Sequence, residues 1–197
     1  MKLSDVDIIE RLGRDIVIDP PPTSECFGSF SIDLRLSNTF RIFEHSRFPY
    51  LDLGKTTSAH AMSEQVMREL LVPEDGAFYL HPGELALGMT LERVTLPNNL
   101  AGWLDGRSSL ARVGLMVHLT AHTIDPGWDG CITLEFFNSG RLPLALYPRM
   151  RICAISFEPL TTPTSRPYYS KRGAKYIGQD NPLPSRISKD GVDSIEK

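Results

Sequence analysis

Two arginines and two serines lie close together in the stretch 106–112. Arg107 and Arg112 supply planar guanidinium groups, while Ser108 and Ser109 between them add hydroxyl and backbone N–H donors. Guanidinium groups match the geometry of phosphate oxygens, and the serine donors extend the same set. Surface salt bridges would explain either arginine alone, but not a pair that flanks Ser-Ser in a glycine-bounded turn. We therefore predict a cradle for a polyphosphate here.

A glutamate is the candidate catalytic group. Glu135 lies in the segment 131–137, where apolar residues alternate with others as in a half-buried strand. The residues on its own face are small, hydroxylic or aromatic, namely Cys131, Thr133 and Phe137. That face predicts the wall of a pocket rather than a wet surface. The Asp-Pro-Gly turn within 124–130 can fold the cradle and the carboxylate toward one another. Together they indicate an enzyme that acts on a nucleotide.

Other catalytic chemistries lack their residues in this sequence. A zinc deaminase needs His-x-Glu followed by Pro-Cys-x-x-Cys, whereas this chain has no Cys-x-x-Cys, and the spacing of His-Pro-Gly-Glu at 81–84 is wrong. There is no Walker loop, no Gly-x-Gly-x-x-Gly, and no Gly-x-Ser-x-Gly around Ser108. We therefore predict a zinc-independent enzyme whose histidines are structural or surface residues, namely His45, His60, His81, His118 and His122.

Bulk composition limits the class of protein. At 197 residues the chain is long enough for one domain with a sizeable core. A formal net charge of -3 gives no basic field, which argues against nonspecific nucleic-acid binding. Three widely separated cysteines (Cys26, Cys131 and Cys153) fit a reducing compartment. The first residues of the sequence are charged, which argues against a signal peptide. No apolar run is long enough to predict a membrane helix. We expect a soluble, cytoplasmic protein.

The sequence pattern predicts the short helices and strands that position these residues. A first helix should begin after Ser4, with Asp7 three residues on and Gly13 as its stop, and bury an apolar side of Val6, Ile8, Ile9 and Leu12. Two further helical segments are predicted at 63–70 and 107–113. Alternation from Phe30 to Ser37 predicts a strand, and other strands are expected at 39–43, 76–80, 84–91, 100–104, 115–121, 131–138 and 150–157.

These elements predict a mainly β fold. Frequent Pro and Gly (15 of each) join many short strands by tight turns. The pattern favours a distorted, jelly-roll-like β-barrel with a few short helices over an alternating βαβ fold. We predict a β domain at 1–160.

The segment 161–197 differs in composition from the rest. It is rich in Pro and Gly, has no apolar periodicity, and carries three tyrosines within nine residues at Tyr168, Tyr169 and Tyr176. A frayed terminus is the plainer interpretation. We favour a lid whose Tyr and Lys side chains close over an anionic ligand.

Taken together, these motifs resemble the dCTP deaminases over nearly the whole chain. The resemblance rests on the following stretches: His81-Pro82-Gly83-Glu84, Leu96-Pro97, Gly106-Arg107-Ser108-Ser109-Leu110-Ala111-Arg112, Thr120-Ala121-His122, Ile124-Asp125-Pro126-Gly127-Trp128, Leu134-Glu135-Phe136-Phe137-Asn138, Arg166-Pro167-Tyr168 and Ala174-Lys175-Tyr176. Ala121-His122 resembles the bacterial single-activity branch. Thr123 is a departure, because arginine is common there in close relatives.

The resemblance implies a dUTPase-like fold, a homotrimer with active sites between subunits, and magnesium bound on the triphosphate without protein ligands. It also implies a feedback inhibitor, dTTP. Carried over by position, the substrate-binding residues are Arg107, Ser108, Ser109, Leu110, Ala111, Arg112, Ala121, Asp125 (at the deoxyribose), Thr133, Leu134 and Glu135 (at the base, through the backbone), and Tyr168, Lys175 and Gln179 from the tail.

The implied reaction is hydrolytic deamination of dCTP to dUTP and ammonia, which would feed dUMP and dTTP synthesis. Glu135 would move the protons, Ser108 and a carbonyl near Ala121 would hold the water, and Arg112 would stabilise developing charge. Two alternatives stay open: a bifunctional enzyme that yields dUMP and pyrophosphate, and a non-catalytic nucleotide-binding trimer.

Overall fold

The structure is a computed structural model that describes residues 1–44, 50 and 66–187. Strands dominate it. The helices are α1 (Asp5–Arg11) and α2 (Ser108–Ala111), with 3-10 turns at Ser24–Cys26 and Tyr168–Ser170. The strands are β1 (Val17–Asp19), β2 (Ile32–Arg35), β3 (Thr39–Phe43), β4 (Met67–Leu71), β5 (Phe78–Leu80), β6 (Leu85–Thr95), β7 (Leu100–Gly106), β8 (Leu115–Met116), β9 (Thr123–Ile124), β10 (Asp129–Asn138), β11 (Leu144–Leu146) and β12 (Arg151–Pro159).

Antiparallel pairing organises the strands into sheets. The largest sheet has the order β4-β3-β6-β10-β8, with β1 also paired to β6. A second sheet has the order β2-β12-β7-β9, and β5 pairs with β11. The mainly β prediction is confirmed. The paired strands of the described residues form three separate sheets, so their hydrogen bonding does not close one continuous barrel.

The core draws on both larger sheets because their strands alternate inward and outward residues. In β10, every second residue from Gly130 to Asn138 is buried, as the sequence pattern predicts. Phe40 stacks on Phe78 with ring centroids 4.3 Å apart, and Phe136 lies 6.3 Å from Phe40. Other fully buried residues come from β2, β7 and β12: Ile32, Leu34, Leu104, Ile155 and Phe157.

Helix α1 begins as predicted but buries less than predicted. Ser4 caps it, because the Ser4 hydroxyl accepts from the Asp7 backbone N–H and the Asp7 carboxylate accepts from the Ser4 backbone N–H. The predicted apolar side is wrong in part. Ile8 is fully buried, whereas Val6 and Ile9 are more than half exposed, since one narrow stripe of this short helix faces the sheets.

Two predicted elements are wrong. The predicted strand 115–121 ends at Met116, because the chain bends and pairs with β10 only through Leu115 and Met116. The predicted helix 63–70 is wrong from Met67 onward, where the chain forms β4 and pairs with β3. Residues 63–65 lie outside the described part of the chain. Tertiary pairing overrides local pattern in both cases.

The remaining predicted elements are confirmed; the strand at 39–43 has the predicted ends, and the ends of the others are shifted. The predicted helical segment 107–113 contains α2, and Gly114 follows it with φ +98°. The predicted strands at 39–43, 76–80, 84–91, 100–104, 131–138 and 150–157 correspond to β3, β5, β6, β7, β10 and β12.

Candidate active site

A cavity of about 500 Å³ opens beside β10, and both carboxylates of the predicted site, Asp125 and Glu135, line it. Six predicted site residues line it: Ala121, Asp125, Thr133, Glu135, Tyr168 and Gln179. Most of the remaining wall is apolar, formed by Phe43, Val66, Met67, Leu87, Ile132 and Leu183 among others. A mostly apolar pocket with a few polar groups is the usual form of a small-molecule site.

Strand β10 places Glu135 and Thr133 on the cavity side. Their neighbours Leu134 and Phe136 are buried on the other face, as the predicted alternation requires, whereas Ile132 is buried and still contributes to the cavity wall. The Leu134 side chain is fully buried in the core, and therefore only its backbone is available to a ligand.

The carboxylate of Glu135 is held by the loop 117–122. The backbone N–H of Leu119 donates to Glu135 Oε2 at 3.2 Å. This bond occupies one oxygen and leaves the carboxylate at the cavity wall, where its proton-transfer capacity can be used on a bound molecule. The sequence did not predict that Leu119 contacts Glu135, because residues 115–121 were predicted to form a strand.

Two polar atoms in the cavity wall have no partner among the described residues. The hydroxyl of Thr133 and the amide oxygen of Gln179 are buried and make no hydrogen bond there. A buried polar group without a partner costs about 1–3 kcal/mol. Because both residues line the cavity, an occupant whose donors reach these two atoms would remove that cost.

The tail is packed against β10 in this structure. Cys131 N–H donates to the Gln179 carbonyl at 3.0 Å, and Gly178 N–H donates to the Asp129 carbonyl at 2.7 Å. The amide group of Gln179 donates to the Cys131 carbonyl at 2.8 Å. These bonds fix Gln179 at the cavity. The predicted mobility of the tail without nucleotide stays a prediction.

Tyr168 anchors the middle of the tail. Its ring lies 5.2 Å from that of Trp128, and its hydroxyl accepts from the backbone N–H groups of Lys175 and Tyr176. The missed wall residue Tyr176 is thereby held as well, and its own hydroxyl accepts from Arg186 N–H at 3.0 Å. The aromatic pattern of the tail was the available signal for Tyr176.

Asp125 and Lys175 are placed differently from one another. Asp125 lines the cavity, and its carboxylate lies 3.1 Å from Lys171 Nζ. This contact ties the turn at 125–127 to the tail. Lys175 is half-buried but does not line the cavity, although its N–H bond to Tyr168 keeps its backbone beside the wall.

The predicted phosphate cradle does not line this cavity within one chain. Ser108, Ser109, Ala111 and Arg112 are exposed, and Leu110 packs against the core. Arg107 is held instead by Asp33, 3.1 Å from its Nε, and by the Arg151 carbonyl, 3.0 Å from Nη1. Within one chain, the arginine cluster therefore lies outside the cavity that Glu135 lines, whereas the sequence predicted that both face one pocket.

Cys131 offers no competing nucleophile beside Glu135. Burial raises the pKa of the Cys131 thiol, which keeps it protonated near neutral pH. At the start of the same strand, hydrogen bonds from Arg93 hold the pKa of Asp129 below its usual value. The Asp129 carboxylate accepts hydrogen bonds from Arg93 and Thr95. These bonds stabilise the start of β10, so we assign Asp129 a structural role rather than a catalytic one.

The described residues contain no group of three or more His, Cys, Asp or Glu side chains able to hold a metal ion. A cation held mainly by phosphate oxygens and water, as magnesium prefers, needs no such group. Within the same residues, no helix has the length and apolar character needed to cross a membrane.

Comparison with known proteins gives one family. A family model described as dCTP deaminase-like matches residues 2–160. The chain is 56% identical over 192 residues to a dCTP deaminase of Rhodospirillum rubrum, covering 96% of this chain and 98% of that protein. It is 52% identical over 193 residues to a dCTP deaminase of Shewanella oneidensis, covering 96% of this chain and all of that protein.

Solved structures agree on the fold. A 2'-deoxycytidine 5'-triphosphate deaminase from Agrobacterium tumefaciens superposes with a TM-score of 0.60 at 18% identity, over 79% of this chain and 46% of that chain. This chain thus spans less than half the length of that one. A dUTPase of Staphylococcus bacteriophage 80alpha gives a TM-score of 0.50 at 13% identity, over 78% of this chain and 95% of that chain.

Proposed function

The chain belongs to the dCTP deaminase family, and on that premise we propose that it hydrolyses dCTP to dUTP and ammonia in the cavity beside β10. One observation carries the proposal: Glu135 lines the cavity together with Thr133 and Gln179, whose buried Oγ1 and Oε1 atoms have no hydrogen-bond partner among the described residues. A cytosine has a hydrogen-bond-donating amino group of the kind that such acceptors suit.

Glu135 moves the protons of the reaction. It takes a proton from water as the oxygen attacks C4 of the cytosine, and it delivers a proton to N3. Glu135 next takes the proton of the new C4 hydroxyl and passes it to the amino group, so that the bond from C4 to the amino nitrogen breaks, C4=O forms and ammonia leaves. One water is consumed, and the carboxylate is restored. The Leu119 N–H keeps Glu135 oriented through this sequence.

The phosphate cradle would reach the cavity from a neighbouring subunit of a homotrimer. Two observations support this proposal: the cradle does not line the cavity of its own chain, and its outer residues are exposed. Exposed apolar side chains follow it at Val113, Met116 and Leu119, which is typical of a surface that another chain covers. In such an assembly Ser108 would help to hold the water, and Arg112 would stabilise developing charge.

Magnesium fits this arrangement as an ion carried by the triphosphate. When bound, the ion would neutralise phosphate charge, and Arg107 and Arg112 would bind phosphate oxygens. The same cradle supports inhibition by dTTP, because dTTP carries an identical triphosphate. We also propose that the enzyme works in the cytoplasm, where its free cysteines would stay reduced.

The tail would act as the lid of this site. Tyr168 and Gln179 already line the cavity, and Lys175 lies next to Tyr168, where it can meet a phosphate. The proposed division is therefore a β domain at 1–160 and a lid formed by the tail. An ordered lid excludes water from the intermediate.

Incubation with dCTP and magnesium, followed by chromatography of the products, tests the function and its alternatives. We expect dUTP and ammonia, with activity kept in the presence of a zinc-selective chelator. A product mixture of dUMP and pyrophosphate would establish the bifunctional enzyme, against the single-activity resemblance of Ala121-His122. Recovery of unchanged dCTP would leave the non-catalytic trimer and refute the proposal.

A further inference from the structure

The guanidinium group of Arg107 is seated by three adjacent strands. Arg107 directly follows β7, Asp33 lies on β2, and Arg151 begins β12, which pairs with both of those strands. Nε of Arg107 lies 3.1 Å from Asp33 Oδ2, and Nη1 donates to the Arg151 carbonyl at 3.0 Å. Each contact joins a cradle residue to a strand rather than to a flexible loop.

These contacts leave part of the Arg107 guanidinium group available to bind a ligand. Nη2 of Arg107 makes no hydrogen bond to any described residue. The Arg107 side chain is 27% exposed and the Asp33 side chain 19%, so their contact is partly shielded from solvent. A shielded ion pair is less screened by salt than an exposed one. Arg107 can therefore present Nη2 to an anion while its other nitrogens stay fixed.

The Asp33 carboxylate contacts a second guanidinium group besides that of Arg107. Arg151 Nη1 lies 3.3 Å from the same Asp33 oxygen that contacts Arg107. One carboxylate is thus shared by two guanidinium groups, and the three side chains keep a net charge of +1. A lone Asp33–Arg107 pair would be neutral and would attract phosphate weakly.

We propose that Asp33 is a positioning residue of the triphosphate cradle, acting through Arg107, and that Arg151 preserves the positive charge which Asp33 would otherwise cancel. The inference rests on the proposed function, because it takes the triphosphate as the ligand of Arg107. Holding the long Arg107 side chain before the ligand arrives lowers the entropy lost on binding.

A double-mutant cycle tests this coupling. Affinity for dCTP with magnesium is measured by calorimetry on a Glu135→Gln background, with Asp33→Ala, Arg107→Ala and both together. Loss of a charge-assisted contact predicts about tenfold weaker binding for each single variant. The double variant should be within about twofold of Arg107→Ala, because the proposed effect of Asp33 on the ligand acts through Arg107. Losses that multiply in the double variant would overturn the inference.

Comparison ligands and controls separate positioning from general damage. Binding of dCMP, which lacks the two outer phosphates, should weaken less than that of dCTP; an equal loss for both would contradict a role in the triphosphate cradle. Glu74→Ala removes the carboxylate 2.7 Å from Arg149 and should leave dCTP affinity unchanged. If the Asp33→Ala variant does not fold, Asp33→Asn, which keeps a hydrogen-bond acceptor, replaces it in the same double-mutant cycle.

The two proposals fail differently. A parent enzyme that binds dCTP but does not deaminate it would refute the proposed function, while the affinity cycle would still decide whether Asp33 acts through Arg107. A parent enzyme that deaminates dCTP with an affinity insensitive to Arg107→Ala would overturn the positioning inference alone. Absence of dCTP binding would overturn both.

Discussion

Glu135 is held at the cavity wall by two independent constraints. The alternation of β10 turns its side chain away from the core, and the Leu119 N–H binds one carboxylate oxygen at 3.2 Å. Strand geometry thus fixes the direction of the side chain, and a loop fixes its orientation. A group held in this way can transfer protons without first losing rotamer freedom.

Replacement of Glu135 by glutamine should separate binding from turnover. The amide keeps the size and the contact with Leu119 but cannot accept and return a proton, so kcat should fall at least about 100-fold. Steady-state kinetics and calorimetry with dCTP measure the two effects. Glu158→Gln, a change at a carboxylate that pairs with the N-terminus, is a matched control and should retain activity. Turnover within a few-fold of the parent would refute the role of Glu135.

The elements that position the site were only partly readable from the sequence. β10 and α2 were predicted because alternation and a glycine stop are local signals. The loop 117–122 and β4 were not, because their structure depends on partners distant in the chain, Glu135 and β3. The apolar wall at Phe43, Val66 and Met67 was missed for the same reason.

The turn that receives the tail depends on a glycine. Gly127 has φ +79°, and a Cβ there would lie 2.6 Å from Pro167 Cβ and 3.0 Å from Tyr168 N. Because Tyr168 N–H also donates to the Pro126 carbonyl at 2.8 Å, the tail packs closely on this turn. The glycine therefore permits both the turn and the docking of the tail.

Gly127→Ala should loosen the tail while the sheets stay folded. We expect faster hydrogen exchange in residues 167–179, a red shift of Trp128 fluorescence and lower dCTP turnover. Gly173→Ala is a suitable control, since that glycine also has positive φ but a Cβ there meets nothing within 4 Å. Turnover that is unchanged by Gly127→Ala despite faster exchange in the tail would show that tail docking does not serve catalysis.

At the scale of the whole molecule, Glu135 lines the cavity of the described chain and the arginine cluster does not. The dCTP deaminase fold and family were predictable because their motifs extend along the whole sequence, and both are confirmed. Motif spacing alone did not predict the separation of the arginine cluster from Glu135, because it does not specify which chain completes a pocket, although the family resemblance implied active sites between subunits. This separation is the basis for proposing sites shared between subunits.

Mixed oligomers test the sharing of sites. Glu135→Gln and Arg112→Ala should each be inactive alone, but co-expression should restore sites that combine Glu135 from one chain with Arg112 from another. Random assembly of equal amounts predicts about one quarter of the parent activity per site. Tagged purification of the mixed species checks its composition. Co-expressed variants with no more activity than the separate ones would place both groups in the same chain's site.

The most direct test of the central claim is to follow the oxygen of water. Turnover of dCTP in ¹⁸O-labelled water, analysed by mass spectrometry, should give dUTP with one labelled oxygen on the base and one ammonia per dUTP, because the water attacks C4. Label on a phosphate or on pyrophosphate, with an unlabelled base, would contradict the account.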